Sequence, residues 1–354
     1  MLILFYLSRL LLTLFLHYQQ SYGKQYQFTR SRHQTNWTAI YDSSCQWELD
    51  YITLDILPYE HINIIKVNQT DAANLTFYQE LSANQSLPHI VQNCIYIFSS
   101  NNKNHRDVYS VVSYLQPRVI LHMSDETDLS FLYNGLANHC DIYIRQYCYG
   151  YHKRHLNTIY MPLGYMRGMF LGARSVKEVT VSDAFAEKRP YVWSFVGNGD
   201  KRDRVEMLNQ FKTLSPYATK QATAVEMKEL YSKANFVPIG QGWVTLDCFR
   251  IYEASANGAI PVIVGKEKDL QINFGCFNSL PWIFASSWKE AVKKVEEINR
   301  NDSLVAAIRH STVAWWQRRV LHVRKCIMLA LNITPSHRCC DGCPELKFSK
   351  FPKY

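Results

Sequence analysis

The amino-acid sequence predicts an α/β fold with two domains, each built on a mostly parallel sheet. Short apolar runs alternate with segments of helical periodicity on both sides of a charged, weakly patterned stretch, residues 166–188. The clearest unit is residues 235–265, where an apolar run, a glycine-rich loop, a helical segment, an Asn-Gly stop and a second apolar run follow one another. That order is typical of a βαβ unit, whose strands are parallel. With 354 residues and 47% hydrophobic content, the chain is long enough to bury two such cores.

Residues 45–170 are expected to form the first domain. Its apolar runs are short and bounded by polar or turn-forming residues, which is typical of strands. Tyr109 to Leu115 has helical spacing and stops before Pro117. The preceding residues, 24–44, are polar and show no periodic run, so they are interpreted as a stem or linker. Strands are predicted at 62–67, 95–99, 119–123, 141–145 and 158–161.

Residues 189–335 are expected to form the second domain, with the charged stretch before them as the linker. In its βαβ unit, the helical segment 246–256 has Thr245 or Asp247 as a cap and ends at Gly258, because glycine adopts the left-handed conformation cheaply. Strands are predicted at 191–196, 236–239 and 259–264, and the other helices at 203–213, 224–233, 288–300 and 305–331.

The start of the chain is interpreted as a targeting segment. Residues 2–16 are mostly apolar. This stretch is shorter than the roughly 20 apolar residues that are needed to span a bilayer. Residues 1–23 are therefore predicted to be a signal peptide, with a signal anchor as the alternative. The 10 cysteines are an even number, as expected in an oxidising compartment. The body of the protein is thus expected in the Golgi or ER lumen, or secreted, with any membrane contact through the anchor. N-glycosylation sequons support this at Asn36, Asn68, Asn74, Asn84, Asn301 and Asn332.

Residues 336–354 form a cysteine-rich tail. His337 and the cysteines that follow it could on paper supply four zinc ligands. Their spacing is too cramped for all four to converge, so disulfides that hold the tail on the body are favoured.

The net charge of +9 does not predict a nucleic-acid partner. Lysine and arginine are scattered, and no basic run is interleaved with stacking aromatic residues. A basic balance also suits a protein that binds a nucleoside diphosphate among anionic glycans.

Two charges on the segment 246–256 point to a ligand. Arg250 and Glu253 are spaced i and i+3, so they share a helix face. One interpretation is a solvated salt bridge on an amphipathic helix. The other is a nucleotide-sugar site, in which Glu253 accepts hydrogen bonds from the ribose hydroxyls. Arg250 and the backbone amides near Gly240 and Gly242 would then neutralise the diphosphate.

A second glycine-rich loop follows the predicted strand 191–196. Gly197 opens a turn that enters a helix, and backbone amides in such a turn, backed by an arginine, can hold a diphosphate. Arg204 is the preferred arginine and Arg202 the second candidate. An ordinary surface turn is the alternative.

If the donor is a nucleotide sugar, its transfer requires a base that takes the proton of the acceptor hydroxyl. The candidates for that base lie in or directly after the strand 119–123. Glu126 and Asp125 follow that strand, and His122 lies in it. The acidic pair also suits a helix cap, and His122 a packed strand residue. The chain has no D-x-D motif of the kind that holds a divalent ion, so no metal is predicted.

The segment RIYEASANGAIPVIV, residues 250–264, resembles the donor-binding segment of exostosin-like glycosyltransferases, which carry an R-x-x-E-A…G-x-I-P-V pattern. Within that family the chain is most similar to the phosphoribitol xylosyltransferases of the α-dystroglycan glycan. The likeness covers roughly two thirds of the chain, and the first hundred residues show none. The blocks that carry it are 189–198, 248–264 and 281–291, with weaker ones at 120–126 and 161–165.

The resemblance implies a GT-B-like fold, two facing Rossmann-type domains with the acceptor side in the first. It implies a UDP-sugar donor, xylose first, a glycan, glycoprotein or polyol-phosphate acceptor, inversion and no metal or other cofactor. Arg204 matches the family's arginine in the first loop of the donor domain, although the loop is one residue shorter here. Glu126 matches an acidic residue of the family, and Met161 to Tyr165 would shape the cleft.

Two other functions are weighed. A non-catalytic glycan-binding protein would keep the fold without needing Asp125 or Glu126. A nucleotide-dependent oxidoreductase is disfavoured, because no G-x-G-x-x-G follows any predicted strand.

Overall fold

The structure is a computed structural model. The predicted signal segment, the cysteine-rich tail and the candidate residues Asp125, Glu126 and Arg202 lie outside the residues that it describes. It describes residues 37–57, 62–83, 94–100, 103–123, 130–147, 155–170, 188–200, 203–242, 245–274 and 277–332.

The first sheet contains strands from the amino-terminal half of the chain. They are β1 (Trp37–Asp42), β2 (Ile62–Val67), β3 (Cys94–Ser99), β4 (Val119–Met123), β5 (Ile142–Arg145) and β6 (Thr158–Tyr160). The strands pair in the order β2-β1-β3-β4-β5-β6, and every pair is parallel. The helical segments of this half are α1 (Leu75–Ala83), α2 (His105–Leu115), 3-10 turns at Ser43–Glu48, Asp71–Ala73 and Ser130–His139, and a π-helical turn at Tyr51–Ile56.

The predicted strands of this half are confirmed, each to within one residue. The stem assigned to residues 24–44 is wrong at its end, because residues 37–42 form β1. All six residues of β1 are buried, between β2 and β3. This strand is difficult to recognise in the sequence, because it includes Thr38 and Asp42, and polar residues usually indicate an exposed segment. Asp42 is accommodated by a buried ion pair with Lys103, 2.6 Å from Nζ to Oδ2.

The second sheet is also parallel throughout and contains β7 (Tyr191–Val196), β8 (Tyr217–Lys220), β9 (Ala234–Ile239), β10 (Ile260–Val264) and β11 (Ile283–Ala285). The strand order is β11-β10-β9-β7-β8. Two parallel sheets confirm the predicted α/β class. The helical segments of this half are α3 (Arg204–Phe211), α4 (Ala224–Ser232), α5 (Phe249–Ala256), α6 (Glu267–Phe274), α7 (Trp288–Asn299), α8 (Asp302–Ala330) and a 3-10 turn at Phe277–Ser279.

Helix α5 begins later than predicted. Its N-cap residue is Cys248, which makes no side-chain capping hydrogen bond, so neither Thr245 nor Asp247 has the predicted capping role. The residues before it bend back against Gly242, where an added Cβ would lie 2.7 Å from the carbonyl oxygen of Asp247. The predicted end is confirmed, since Gly258 has a φ of +68°.

Helix α8, which belongs to the second half of the chain, packs against the first half. Both sheets belong to one compact unit, residues 36–354. The ring of Trp316 on α8 lies 5.7 Å from that of Tyr51 and 6.4 Å from that of Tyr165. Arg319 donates a hydrogen bond to the carbonyl of Tyr160, at the end of β6. The predicted linker, 166–188, is described only at its ends, and its first residues pack in this shared core.

Arg189 is expected to be a large contributor to stability. Its buried guanidinium donates hydrogen bonds to the carbonyls of Tyr231, Ala234 and Asn257, which join three elements of the second half. Arg189→Met should lower the free energy of unfolding by about 3 kcal/mol, because it leaves buried carbonyls without partners. Urea unfolding measures this. The control Arg300→Met, which removes only an exposed pair with Glu296, should change it by less than about 0.5 kcal/mol.

Among the described residues, no helix is both long and apolar enough to cross a membrane. The sequon asparagines that the structure describes, Asn68, Asn74, Asn301 and Asn332, are all exposed.

Candidate functional site

The strand order of the second sheet reverses between β7 and β9. From β7 the chain adds β8 on one side, and then β9, β10 and β11 on the other. Ligands of open parallel sheets bind outside the carboxyl ends of the strands at such a reversal, since the loops there diverge and leave a crevice. The loops concerned begin at Gly197 and at Gly240, and both are predicted site positions.

Arg204, at the start of α3, bridges these two loops. Its Nη1 donates to the carbonyl of Asn198 at 2.9 Å, and Nη2 lies 3.5 Å from the carbonyl of Gln241. The residue is 7% exposed, and its Nε has no hydrogen-bond partner within the described ranges. An added Cβ at Gly240 would lie 2.5 Å from Cγ of Arg204. Gly240 therefore makes room for this arginine.

Arg250, in the first turn of α5, reaches the same place from the other side. Its Nε donates to the carbonyl of Val196, the last residue of β7, at 2.8 Å. A Cβ at Gly197 would overlap the guanidinium, and Gly197 has a φ of +129°, which side chains rarely adopt. From the sequence, Gly197 and Gly240 are predicted to bind phosphate through their backbone amides. The structure adds that each one provides clearance for an arginine.

The two arginines form a concentrated positive charge at the reversal. Both guanidinium carbons lie over the ring of Phe195, at 5.9 Å for Arg204 and 5.4 Å for Arg250. Burial lowers the pKa of Arg204, and the nearby charge of Arg250 lowers it further. Two cations that repel each other in a partly desolvated place favour binding of an anion between them.

Glu253 lies one turn after Arg250 and is 3% exposed. Burial raises its pKa to about 7, although the charge of Arg250 and the backbone N–H of Met166 oppose the shift. That N–H, from the first half of the chain, donates to Oε1 at 3.2 Å. No direct ion pair joins Arg250 and Glu253 in the described structure. The alternative of a solvated surface salt bridge therefore does not hold, because Glu253 is buried.

Asp247 and Cys248 directly precede α5, and neither was assigned a ligand role from the sequence. Asp247 is 8% exposed, and its Oδ1 has no hydrogen-bond partner among the described residues. Burial raises the pKa of its carboxyl to about 7, opposed by the Tyr252 hydroxyl. Burial likewise raises the pKa of the Cys248 thiol, and Arg250 opposes it. Their burial was not readable from sequence, since it depends on how the loop before α5 folds back.

The structure tests the candidate base only at His122. The imidazole is fully buried, stacks on Phe98 at 4.5 Å between ring centroids, and has Nδ1 2.9 Å from the Tyr143 hydroxyl. These contacts fit the packed strand residue that the sequence analysis weighs as the alternative. Asp125 and Glu126, which follow β4 in the sequence, stay predictions.

The remaining predicted site positions are Gly242 and Arg202. Gly242 is packed against the carbonyls of Thr245 and Asp247, so it shapes the turn before α5. Arg202 lies outside the described residues. Within the described part of the chain, no group of three or more His, Cys, Asp or Glu side chains is placed to hold a metal ion.

Comparisons with known proteins find similarity only among solved structures. No protein-family model and no curated protein matches the sequence. HepE from Anabaena, in complex with UDP-glucose, is 11% identical with a TM-score of 0.44, covering 84% of this chain and 100% of HepE. TarM is 8% identical with a TM-score of 0.44, covering 73% of this chain and 58% of TarM. The T4 phage DNA-modifying β-glucosyltransferase is 12% identical with a TM-score of 0.41, covering 83% of this chain and 99% of that enzyme.

Proposed function

We propose that the protein is a glycosyltransferase that moves a sugar from a UDP-sugar to a hydroxyl of a glycan, glycoprotein or polyol-phosphate acceptor. The observation that carries the proposal is the group at the β7–β9 reversal. Two arginines there converge on one aromatic ring, and a buried carboxylate follows one helical turn later. A nucleoside diphosphate needs that combination, because it has two phosphates to neutralise and a ribose diol to orient.

In this proposal each group has one role. Arg204 and Arg250 bind the diphosphate and stabilise the negative charge that grows on it as the sugar departs. Glu253 accepts hydrogen bonds from the ribose hydroxyls. The acceptor oxygen forms a bond to the anomeric carbon while the bond from that carbon to the phosphate oxygen breaks. The acceptor proton passes to a carboxylate, Glu126 first and Asp125 second, and UDP leaves.

The finer assignments rest on the resemblance of residues 250–264 to exostosin-like glycosyltransferases. They are xylose as the first donor to try, inversion at the anomeric carbon and independence of metal ions. Residence in the lumen of the secretory pathway is proposed from the predicted signal segment, the sequons and the even number of cysteines. Fixed arginines can take over the charge neutralisation that a metal ion supplies elsewhere, which is why metal independence agrees with the two guanidiniums.

A thermal-shift panel of UDP- and GDP-sugars tests the donor assignment. A ligand present at a hundred times its dissociation constant stabilises a protein by about 2.7 kcal/mol, which gives a readable shift. We expect a shift with UDP-xylose that is reduced by about half or more in Glu253→Gln, each protein being compared with its own unliganded state. Shifts with no nucleotide sugar would reject the donor site and favour the non-catalytic glycan-binding alternative.

The two clearance glycines give a further prediction. Gly197→Ala and Gly240→Ala should each weaken UDP binding at least about tenfold, because the added methyl displaces Arg250 or Arg204. Calorimetric titration with UDP measures the loss. Gly199→Ala is the matched control in the same loop, since its methyl would meet only the flexible end of Leu208. Equal losses for all three variants would mean that general loop damage, and not arginine placement, governs binding.

A further inference from the structure

The first sheet has its own reversal of strand order, between β1 and β3. From β1 the chain adds β2 on one side and then β3 to β6 on the other. The segments that leave these two strands are the 3-10 turn Ser43–Glu48 and the residues up to Lys103. A second crevice is expected outside the carboxyl ends of β1 and β3, by the same rule that places the donor site.

This second place differs from the arginine site in its charges, because the buried cation described there is paired with an acid. Lys103 pairs with Asp42 in a fully buried contact. The same carboxylate accepts hydrogen bonds from the N–H of Ser99 at 3.1 Å and from the N–H and hydroxyl of Ser44, at 2.9 and 2.6 Å. The buried cation Lys103 is therefore taken up by Asp42, and a further carboxyl group, that of Glu48, is buried in the turn that follows β1. Among its described residues, this floor offers a phosphate no unpaired buried cation, so it favours an occupant without negative charge.

Trp47 stands out at this crevice because it is 55% exposed. The other tryptophans in the described part of the chain are at most 7% exposed. The segment that carries Trp47 is held firmly, since Cys45 and Glu48 on either side are fully buried. The carbonyl of Trp47 also accepts a hydrogen bond from the N–H of Arg167 at 2.8 Å. A large apolar ring is thus displayed to solvent from a fixed backbone, which is characteristic of binding surfaces.

Trp47 is also close to the donor site. The N–H of Arg167 binds the carbonyl of Trp47, and the N–H of the preceding residue, Met166, binds the carboxylate of Glu253. Since neighbouring residues are 3.8 Å apart along the chain, the Trp47 carbonyl and the Glu253 carboxylate lie within about 10 Å of each other. The backbone of Trp47, in the first half of the chain, therefore lies near the carboxylate that is assigned to the ribose.

We propose that Trp47 is the platform on which a neutral sugar ring of the acceptor stacks, next to the donor. This inference rests on the proposed function, and it assigns the acceptor class and one positioning residue. The apolar C–H face of a pyranose fits an exposed indole, and the paired charges of Asp42 and Lys103 suit a ring without a phosphate of its own. Arg204 and Arg250, which would attract an anion, lie on helices α3 and α5 of the second half of the chain.

Acrylamide quenching of tryptophan fluorescence tests the proposal directly, because an exposed indole is quenched first. The probes are methyl β-glycosides of glucose, galactose, xylose and N-acetylglucosamine, and β-linked disaccharides of the same sugars. At least one of them should protect the wild-type protein from quenching. Variants at Trp47 lack the exposed indole that reports binding, so calorimetric titration with that probe measures their affinity. Trp47→Ala should weaken its binding roughly 3- to 10-fold, and Trp47→Phe, which keeps a smaller ring, should weaken it less.

Calorimetric titration with UDP separates this proposal from the proposed function. We expect UDP affinity to be the same within twofold in the wild type and in Trp47→Ala. A tenfold loss of UDP affinity would show that Trp47 stacks on the nucleobase, and would overturn the acceptor assignment. Normal UDP binding with no protection by any neutral glycoside would also overturn it. If the wild type does not bind UDP at all, the proposed function fails, whatever the glycosides do.

Discussion

Replacing Arg250 by methionine is expected to weaken UDP binding by about 10- to 100-fold, the cost of losing charged hydrogen bonds to a phosphate. Methionine keeps much of the apolar stem over Phe195, so the loss comes from the missing charge. Arg204→Met should have an effect of similar size, and the double variant should bind UDP no better than other anions. Calorimetric titration at low salt measures each affinity.

Salt dependence distinguishes a charge effect from local unfolding. Wild-type affinity should fall as ionic strength rises, because salt screens the arginines, and the affinity of Arg250→Met should fall less steeply. Lys212→Met is the matched control, since it removes an exposed cation next to α3, far down the helix from Arg204. A control variant that loses as much affinity as Arg250→Met would show that overall charge governs binding. In that case the site would not be at the reversal.

Glu253→Gln is expected to change nucleotide affinity and stability in opposite directions. Burial raises the pKa of Glu253 to about 7 from its ordinary value of 4.5. A group with a raised folded-state pKa stabilises the fold fully below its unfolded pKa, and this stabilisation is lost as pH rises through the folded pKa. Glutamine has no charge to bury. The variant should therefore be more stable than the wild type at pH 8 by about 2–3 kcal/mol, and equal to it near pH 4.

The same variant should bind UDP at least about tenfold more weakly, since an amide replaces the charged acceptor for the ribose hydroxyls. Urea unfolding at pH 4 and pH 8 gives the stability part, and titration with UDP at pH 8 gives the affinity. Glu290→Gln is a control that should change the free energy of unfolding in the opposite direction, because Lys294 and Ser286 lower the pKa of Glu290 to about 2. Its wild-type carboxylate stabilises the fold above its unfolded pKa. A stability gain for both variants would indicate a general effect of removing acidic groups.

Strands and helices with a regular apolar pattern could be predicted from the sequence, since local periodicity determines which face is buried. The strand at 119–123 and the helix of residues 224–233 are examples. Strand β1 could not be predicted, because the burial of its Asp42 depends on partners such as Lys103, with which it forms an ion pair. Lys103 is 61 positions away in the chain. The late start of α5 depends on the loop that packs on Gly242, which no local pattern records.

The candidate site could be predicted in its residue types but not in its physical state. Arg204, Arg250 and Glu253 followed from spacing and resemblance. Their convergence needs the strand order, which is a tertiary property, because β9 must lie next to β7. The burial of Glu253 needs the chain near Met166, which is 87 positions away in sequence. The exposure of Trp47 was unreadable for the same reason, since sequence alone does not say which tryptophan escapes the core.

A crystal structure of the protein with UDP tests the central claim most directly, because it locates the diphosphate without relying on variants. The account predicts phosphate oxygens within hydrogen-bonding distance of the guanidinium groups of both Arg204 and Arg250, outside the carboxyl ends of β7 and β9. The ribose hydroxyls should lie on the carboxylate of Glu253. A nucleotide bound at the β1–β3 reversal, or one with its phosphates away from both arginines, would contradict it.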